Sequence, residues 1–281
     1  MISARRGYLT MAVRKRQYLE MAVDMALSLR EWSRLPIALA TDEALRTRAE
    51  ALPPGVFHEI TLVEPRFLRG RAMKYGAALA SPFQEAIFID SDCLVLSPPD
   101  PIFQMAGPGP LTFIAEVLNP EDDRNHQGFS TRHLMQRLQL SRYFKSHSGA
   151  FHLRRAGAIP LMEACLECYI NEILPLRSLF RPWRFLGDEL GFGVVGGRRG
   201  FDAFQGPSPI FWGKEILELN PEAPLRPILH FIGPVPSLTL EHLLEGVRRR
   251  RREVGLPEEA SVAIWRAEAG HPGPWTLRPE R

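Results

Sequence analysis

The chain has 281 residues, 45% of them hydrophobic and 24% charged, which bounds it as an ordinary globular protein of one large or two small α/β domains. A net charge of +3 is too small to point to nucleic acid as a partner. No apolar run reaches the roughly 18–20 residues that span a bilayer. Met1–Arg6 leads into no signal-type apolar core, and Cys93, Cys165 and Cys168 make no disulfide framework, so the expected setting is cytoplasmic and reducing.

In chain order, Gly7–Val13 reads as a first strand. The stretch from Tyr18 to Trp32 carries Leu19, Ala22, Val23, Ala26 and Leu27 at helical spacing, the pattern of a core-facing helix. Leu35–Ala40 is a second strand, closed by Thr41 and Asp42, and Glu59–Val63 a third. Residues Arg71–Ser81 read as helix and lead into an apolar run that ends at Asp90. Strands alternating with helices imply a parallel, Rossmann-like sheet, with residues 1–100 as a nucleotide-binding half.

The run Ile87-Phe88-Ile89-Asp90-Ser91-Asp92-Cys93-Leu94-Val95-Leu96 is the centre of the reading. In an extended chain, positions i and i+2 point to the same side, so Asp90 and Asp92 can converge at the carboxyl end of a buried strand. Open α/β sheets bind ligands there. Two hard oxygen ligands suit Mg²⁺ or Mn²⁺ bridging a diphosphate. Charges this close to a core need a partner.

Glu116–Arg142 is polar and reads as a loop followed by a short helix, either a binding loop or a surface excursion. Strand character resumes at Ser146–Leu153. Gly157 and Pro160 open a helix that runs through Ile173; Cys165 and Cys168 fall inside it as core packing, with no second pair to complete a zinc site. Phe185–Leu190 sets Asp188 and Glu189 side by side in apolar surroundings, and Pro227–Pro234 is a strand carrying His230. Leu238–Glu253 reads as an amphipathic helix ending in Arg248–Arg252, a solvated face favoured by the helix dipole or a peripheral contact with an anionic membrane or acidic acceptor. Beyond Gly255 the chain is proline-rich and is expected to wrap the surface or fray.

Taken together, the ordered motifs resemble the GT-A-fold nucleotide-sugar glycosyltransferases, closest to the retaining, glycogenin-like family 8. The resemblance covers residues 7–235. Tyr8-Leu9-Thr10 and Tyr18 are similar to the family's opening strand and base-contacting tyrosine. Lys74 matches the lysine that reaches the donor sugar and diphosphate, and Asp90-Ser91-Asp92 matches its Asp-x-Asp. His147-Ser148-Gly149 resembles an Asn-Ser-Gly segment, Asp188-Glu189 an Asp-Gln pair, and His230-Phe231-Ile232-Gly233 the terminal metal-binding histidine segment. The resemblance implies a GT-A domain over 1–236, its second half (101–236) holding donor sugar and acceptor. A C-terminal helical extension, the basic helix and tail, covers 237–281.

By the same resemblance, Asp90, Asp92 and His230 would hold Mn²⁺ or Mg²⁺. Leu9, Thr10, Tyr18, Lys74, Asp90, Ser91, Ser148, Gly149 and Gly233 would bind the donor, and Lys74, Asp188 and Glu189 would carry the chemistry. The implied reaction moves a hexose from a UDP-sugar to a carbohydrate, lipid-linked or protein acceptor with retention. Three departures stand out: His147 for asparagine, Glu189 for glutamine, and Pro236 where a diphosphate-binding lysine is expected. An arginine such as Arg71 is then the expected replacement.

Rival readings are a haloacid-dehalogenase-like phosphatase with Asp90 as nucleophile, a sugar-phosphate nucleotidyltransferase, and a non-catalytic nucleotide-sugar-binding protein. The first normally opens its fold on the Asp-x-Asp, whereas here α/β structure precedes it. The second needs a glycine in its phosphate loop, and Ala12–Arg16 has none.

Overall fold

The computed structural model describes residues 5–68, 71–178, 187–212, 215, 226–231 and 235–270. Five elements open the chain: β1 (Arg6–Ala12), α1 (Arg16–Arg30), β2 (Ile37–Thr41), α2 (Glu43–Glu50) and β3 (Glu59–Leu62). The three strands pair in parallel, β2 between the others. Asp42 starts α2, its carboxylate accepting the Leu45 amide at 3.1 Å, a standard N-cap. Next come α3 (Met73–Leu79) and β4 (Glu85–Ile89), and β4 lies parallel to β1 on its other side.

The second half contains β5 (Cys93–Val95), α4 (Ile102–Met105), β6 (Leu111–Leu118), β7 (Asn125–His126), β8 (Phe129–Ser130) and α5 (Thr131–Leu138). It continues through β9 (Tyr143–Arg154), α6 (Arg155–Cys168), α7 (Asp188–Arg199), β10 (Asp202–Ala203), β11 (Ile210–Trp212) and β12 (Ile228–His230). Two helices follow, α8 (Ser237–Glu253) and α9 (Glu259–Gly270). The main sheet has seven strands in the order β10-β6-β9-β4-β1-β2-β3. Within it β9 is antiparallel to both neighbours and the other pairs are parallel, which is the mostly parallel sheet expected. A second sheet of three strands, β11-β12-β5, stands beside its carboxyl edge.

Two irregularities shape that edge. Between Phe113 and Ile114 the β6–β9 register jumps from Phe151 to His147, so residues 148–150 leave the β6 ladder while Ala150 stays opposite Ile89 of β4. Such bulges re-aim side chains beside sites. The β7–β8 hairpin turns on Gln127 and Gly128, both left-handed (φ 51° and 84°), the two-residue geometry that suits strand twist.

The C-terminal region contains the expected helix over 237–253 and a further one. Part of the stretch expected to wrap the surface or fray is a packed helix: residues 259–270 form α9, whose Trp265 is fully buried against Phe231, while residues 271–281 lie outside the described residues. The arginine run is not a free cationic face. Arg251 is buried, its Nε 2.5 Å from Asp24 of α1, and Glu20 takes another of its nitrogens at 3.0 Å. Arg249 and Arg250 pair with Glu31, Arg252 with Glu245 and Glu258, and Arg248 with Glu245. Asp24 also accepts from Trp265 Nε1 at 2.7 Å and from the Ser261 hydroxyl. A peripheral membrane contact would have to compete with these pairs. Cys165 and Cys168 are buried and free, as core packing requires. Among the described residues no helix is long and apolar enough to cross a membrane.

Asp24 therefore anchors α8 and α9 onto α1. Removing one partner of a buried pair leaves an uncompensated charge, so Asp24→Ala should cost about 3–5 kcal/mol in urea unfolding. A cost below about 1 kcal/mol would show that the pair does not hold the extension.

Candidate active site

The site forms where β4 ends. The Asp90 amide donates to the Gly149 carbonyl at 2.8 Å, which ties the end of β4 to the residues that the β9 bulge releases. Lys74, on α3, points into this junction and is 8% exposed. Its ammonium lies 2.9 Å from Asp90 Oδ2, 2.9 Å from Ser148 Oγ and 3.1 Å from the Ser148 carbonyl, with Asp188 Oδ2 at 3.3 Å. Burial works to lower its pKa, but Asp188 and Asp90 outweigh that and raise it, so Lys74 stays charged. A surface lysine on a solvated helix is excluded.

Asp188 and Glu189 open α7, where carboxylates complement the helix dipole. The Ser148 hydroxyl sits 2.9 Å from Asp188 Oδ2. Glu189 is a hub: Oε1 accepts the Ser148 amide at 2.9 Å, and Oε2 accepts Gln127 Nε2 at 2.8 Å. His126 Nε2 is 3.3 Å from Oε2 and 3.0 Å from the Ser146 carbonyl, while its Nδ1 contacts the Tyr143 hydroxyl at 2.7 Å. Burial would raise the Glu189 carboxyl, yet the hydrogen bonds from His126 and the Ser148 amide hold it well below the usual carboxylate range. The backbone of Gly187 leaves room for the Gln127 amide, which any side chain there would strike.

Beside this cluster stands a second. Asp92 Oδ1 is 3.1 Å from His230 Nε2. The His147 ring packs edge-on against Trp212 at 4.2 Å and lies 5.3 Å from the His230 ring. Burial lowers the His147 pKa to about 3, so its ring is neutral, and Nδ1 accepts the Gly149 amide at 3.2 Å. Burial opposes protonation of His230, but the Asp92 carboxylate overcomes it and raises the pKa. Burial also pushes the Asp90 carboxyl up to about 7, with Lys74 working against the rise and Asp92 adding to it.

The structure brings two of the expected metal trio, Asp92 and His230, into contact, with Asp90 in electrostatic reach of both. Asp92 and His230 come together with Cys93, their ligand atoms within 4.8 Å of one another, while the ammonium of Lys74 takes the Asp90 carboxylate. Of the expected donor-binding residues, Ser148 and Gly149 join the cluster and Ser91 occupies the turn between the two aspartates. Leu9 and Thr10 are fully buried in β1, and the Leu9 side chain belongs to the core rather than to a ligand surface. Tyr18 is half-buried near the start of α1, with the Lys15 ammonium 5.8 Å from its ring. Gly233 lies outside the described residues. Sequence reasoning placed His126 and Gln127 only within a candidate binding loop, without singling them out, and missed Trp212; the Gln-Gly turn pair was the available signal for the first two.

No family model and no curated protein match the chain. Solved structures do. An active-site glutamine-to-glutamate mutant of LgtC aligns with TM-score 0.57 at 12% identity, covering 92% of this chain and 99% of that one. The galactosyltransferase LgtC in complex with donor and acceptor sugar analogs aligns with TM-score 0.54 at 13% identity and the same coverage. The chain has the GT-A fold. Mouse xyloside xylosyltransferase 1 in its apo form aligns with TM-score 0.48 at 12% identity, over 80% of this chain and 97% of that one.

Gly149 joins the two clusters. A Cβ there would stand 2.6 Å from His147 Cε1 and from His230 Nδ1, closer than packed atoms come. Gly149→Ala should therefore displace both rings and cost about 1–3 kcal/mol of stability by overpacking. Unchanged urea unfolding would mean that the rings have slack.

Proposed function

We propose that the protein is a glycosyltransferase that moves a hexose from a nucleotide sugar, with a UDP-sugar as donor, to a carbohydrate, lipid-linked or protein acceptor with retention. The observation that carries this reading is the junction of Lys74, Asp90, Ser148 and Asp188 at the carboxyl edge of the sheet, beside Asp92 and His230. The GT-A fold supports it. Transfer from such a donor leaves a nucleoside diphosphate with developing negative charge, which cationic groups stabilise.

Asp92 and His230 would hold a divalent cation, and their carboxylate and imidazole suit Mn²⁺ more than Mg²⁺. When bound, the cation supplies charge neutralisation at the departing diphosphate. The protein's own groups do the rest. Asp188, fixed by Ser148 and Lys74, accepts hydrogen bonds from donor-sugar hydroxyls. The three N–H bonds of Lys74 already go to Asp90 and Ser148, so it acts chiefly by fixing the carboxylates, and its charge favours the anionic leaving group.

Glu189 is better fitted to hold the site together than to attack. Both of its oxygens already accept hydrogen bonds, and a carboxylate stabilised in this way is a weak nucleophile. Front-face transfer needs no protein nucleophile, so Glu189→Gln should keep more than about a tenth of the activity, a loss under about 1.4 kcal/mol. Near-complete loss, with azide restoring turnover as a glycosyl azide of inverted configuration, would establish double displacement instead.

The reading as a whole is tested with a panel of nucleotide sugars, screened by thermal shift with and without Mn²⁺. The true donor raises the melting temperature by mass action. The increment should depend on Mn²⁺ in the wild type and vanish in Asp92→Ala. Lys74→Ala should raise the transfer barrier by about 2–4 kcal/mol. No response to any nucleotide sugar, together with phosphate release from sugar phosphates, would replace the transferase with the phosphatase.

A further inference from the structure

We propose that Cys93 is a third protein ligand to the cation, so that Asp92, Cys93 and His230 form a site selective for a borderline-soft divalent ion, Zn²⁺ or Co²⁺, ahead of Mg²⁺. The proposal rests on the reading that this edge of the sheet takes a cation. Its basis is the register of the small sheet. His230 of β12 is directly opposite Cys93 of β5 in an antiparallel pair. Residues opposed in this way share a face, with Cβ atoms about 4.5–5.5 Å apart. The turn at Ser91 and Asp92 then brings Asp92 Oδ1 to 3.1 Å from His230 Nε2.

Three ligand atoms of different chemistry thus lie within 4.8 Å of one another, and closing to the roughly 3.4–3.6 Å of a tetrahedral shell is a small movement. Neither of the other ring and thiol groups is held elsewhere by a strong bond. The Cys93 sulfur makes a long contact of 4.0 Å with the Gly149 carbonyl, and the buried His230 Nδ1 has no partner among the described residues. Asp90, the oxygen ligand that would favour a harder ion, already gives one oxygen, Oδ2, to the Lys74 ammonium at 2.9 Å. A set of one carboxylate, one thiolate and one imidazole ranks Zn²⁺ and Co²⁺ above Mn²⁺, and Mn²⁺ above Mg²⁺. With three ligands from the protein, a fourth position stays open for a phosphate oxygen.

The test is a titration of the reduced, metal-free full chain with Co²⁺, followed by optical absorption. A near-ultraviolet thiolate-to-cobalt charge-transfer band should appear at one equivalent. It should be lost in both Cys93→Ala and Cys93→Ser, and kept in Asp90→Asn. Competition with a chelator should show Zn²⁺ bound at least about tenfold more weakly by both cysteine variants, since even outer-shell groups contribute that much. Circular dichroism of each variant checks that the fold is retained.

Bound cobalt without a thiolate band, abolished by Asp92→Ala, would overturn the role of Cys93 and leave the cation site standing. A band that persists in Cys93→Ala, or Zn²⁺ affinity that does not change, would overturn it equally. Failure of the wild type to bind Co²⁺, Zn²⁺ or Mn²⁺ would remove the cation site itself.

Discussion

A buried ammonium organises this molecule. Lys74 has lost almost all of its water, and an unpaired charge there would cost several kcal/mol. Its neighbours come from the end of β4, the bulge of β9 and the first turn of α7, and together they supply two carboxylates and a serine. Each of those segments would leave unpaired charge behind if it moved away. The bulge, the helix start and the Asp-x-Asp turn are thereby fixed relative to one another before any ligand arrives. Preorganisation of this kind is what a site needs to favour a developing anion without reorganising during the reaction.

A second layer of polar contacts supports the first. Glu189 joins Ser148 to the β7–β8 hairpin through Gln127 and His126, and Tyr143 and the Ser146 carbonyl hold the histidine. Gln127 takes a left-handed conformation in order to do this, a strained choice for a residue with a side chain. A carboxylate at Glu189, where the motif resemblance leads one to expect an amide, is accommodated because donors surround it. His147, the other replaced position, is kept neutral by burial and packs between Trp212 and His230. The two departures at Glu189 and His147 are neighbours in space, 3.8 Å apart, and belong to one rearranged corner of the site.

Much of this arrangement was legible in the sequence, for definite reasons. The parallel sheet followed from apolar strands alternating with helices. The location of Asp90 and Asp92 at a strand end followed from an apolar run stopped by two acids. What escaped notice depends on contacts across long separations. The acidic partners of Arg251, Glu20 and Asp24, lie more than 200 residues earlier in α1, so the arginine run read as a solvated face. Helix α7 was hidden by Gly191, Gly193, Gly196 and Gly197, each costing about 1 kcal/mol of helix propensity; the glycines let α7 approach β9 closely, as the Tyr143 ring against Gly193 shows. The different direct partners of Asp90 and Asp92 could not be read from i, i+2 spacing, because the chain turns at Ser91 and only the fold brings Lys74 within bonding distance of one acid and His230 of the other.

The central claim is that a nucleoside diphosphate binds where the Lys74 cluster meets Asp92 and His230. A crystal structure of the protein with UDP and a divalent cation tests it most directly. The account predicts the diphosphate at the carboxyl edge of β1 and β4, within reach of Asp92 and His230. Nucleotide bound elsewhere, for instance in the polar hollow of about 620 Å³ lined by Gln139, Arg142 and Arg198, with the Lys74 cluster untouched, would contradict it.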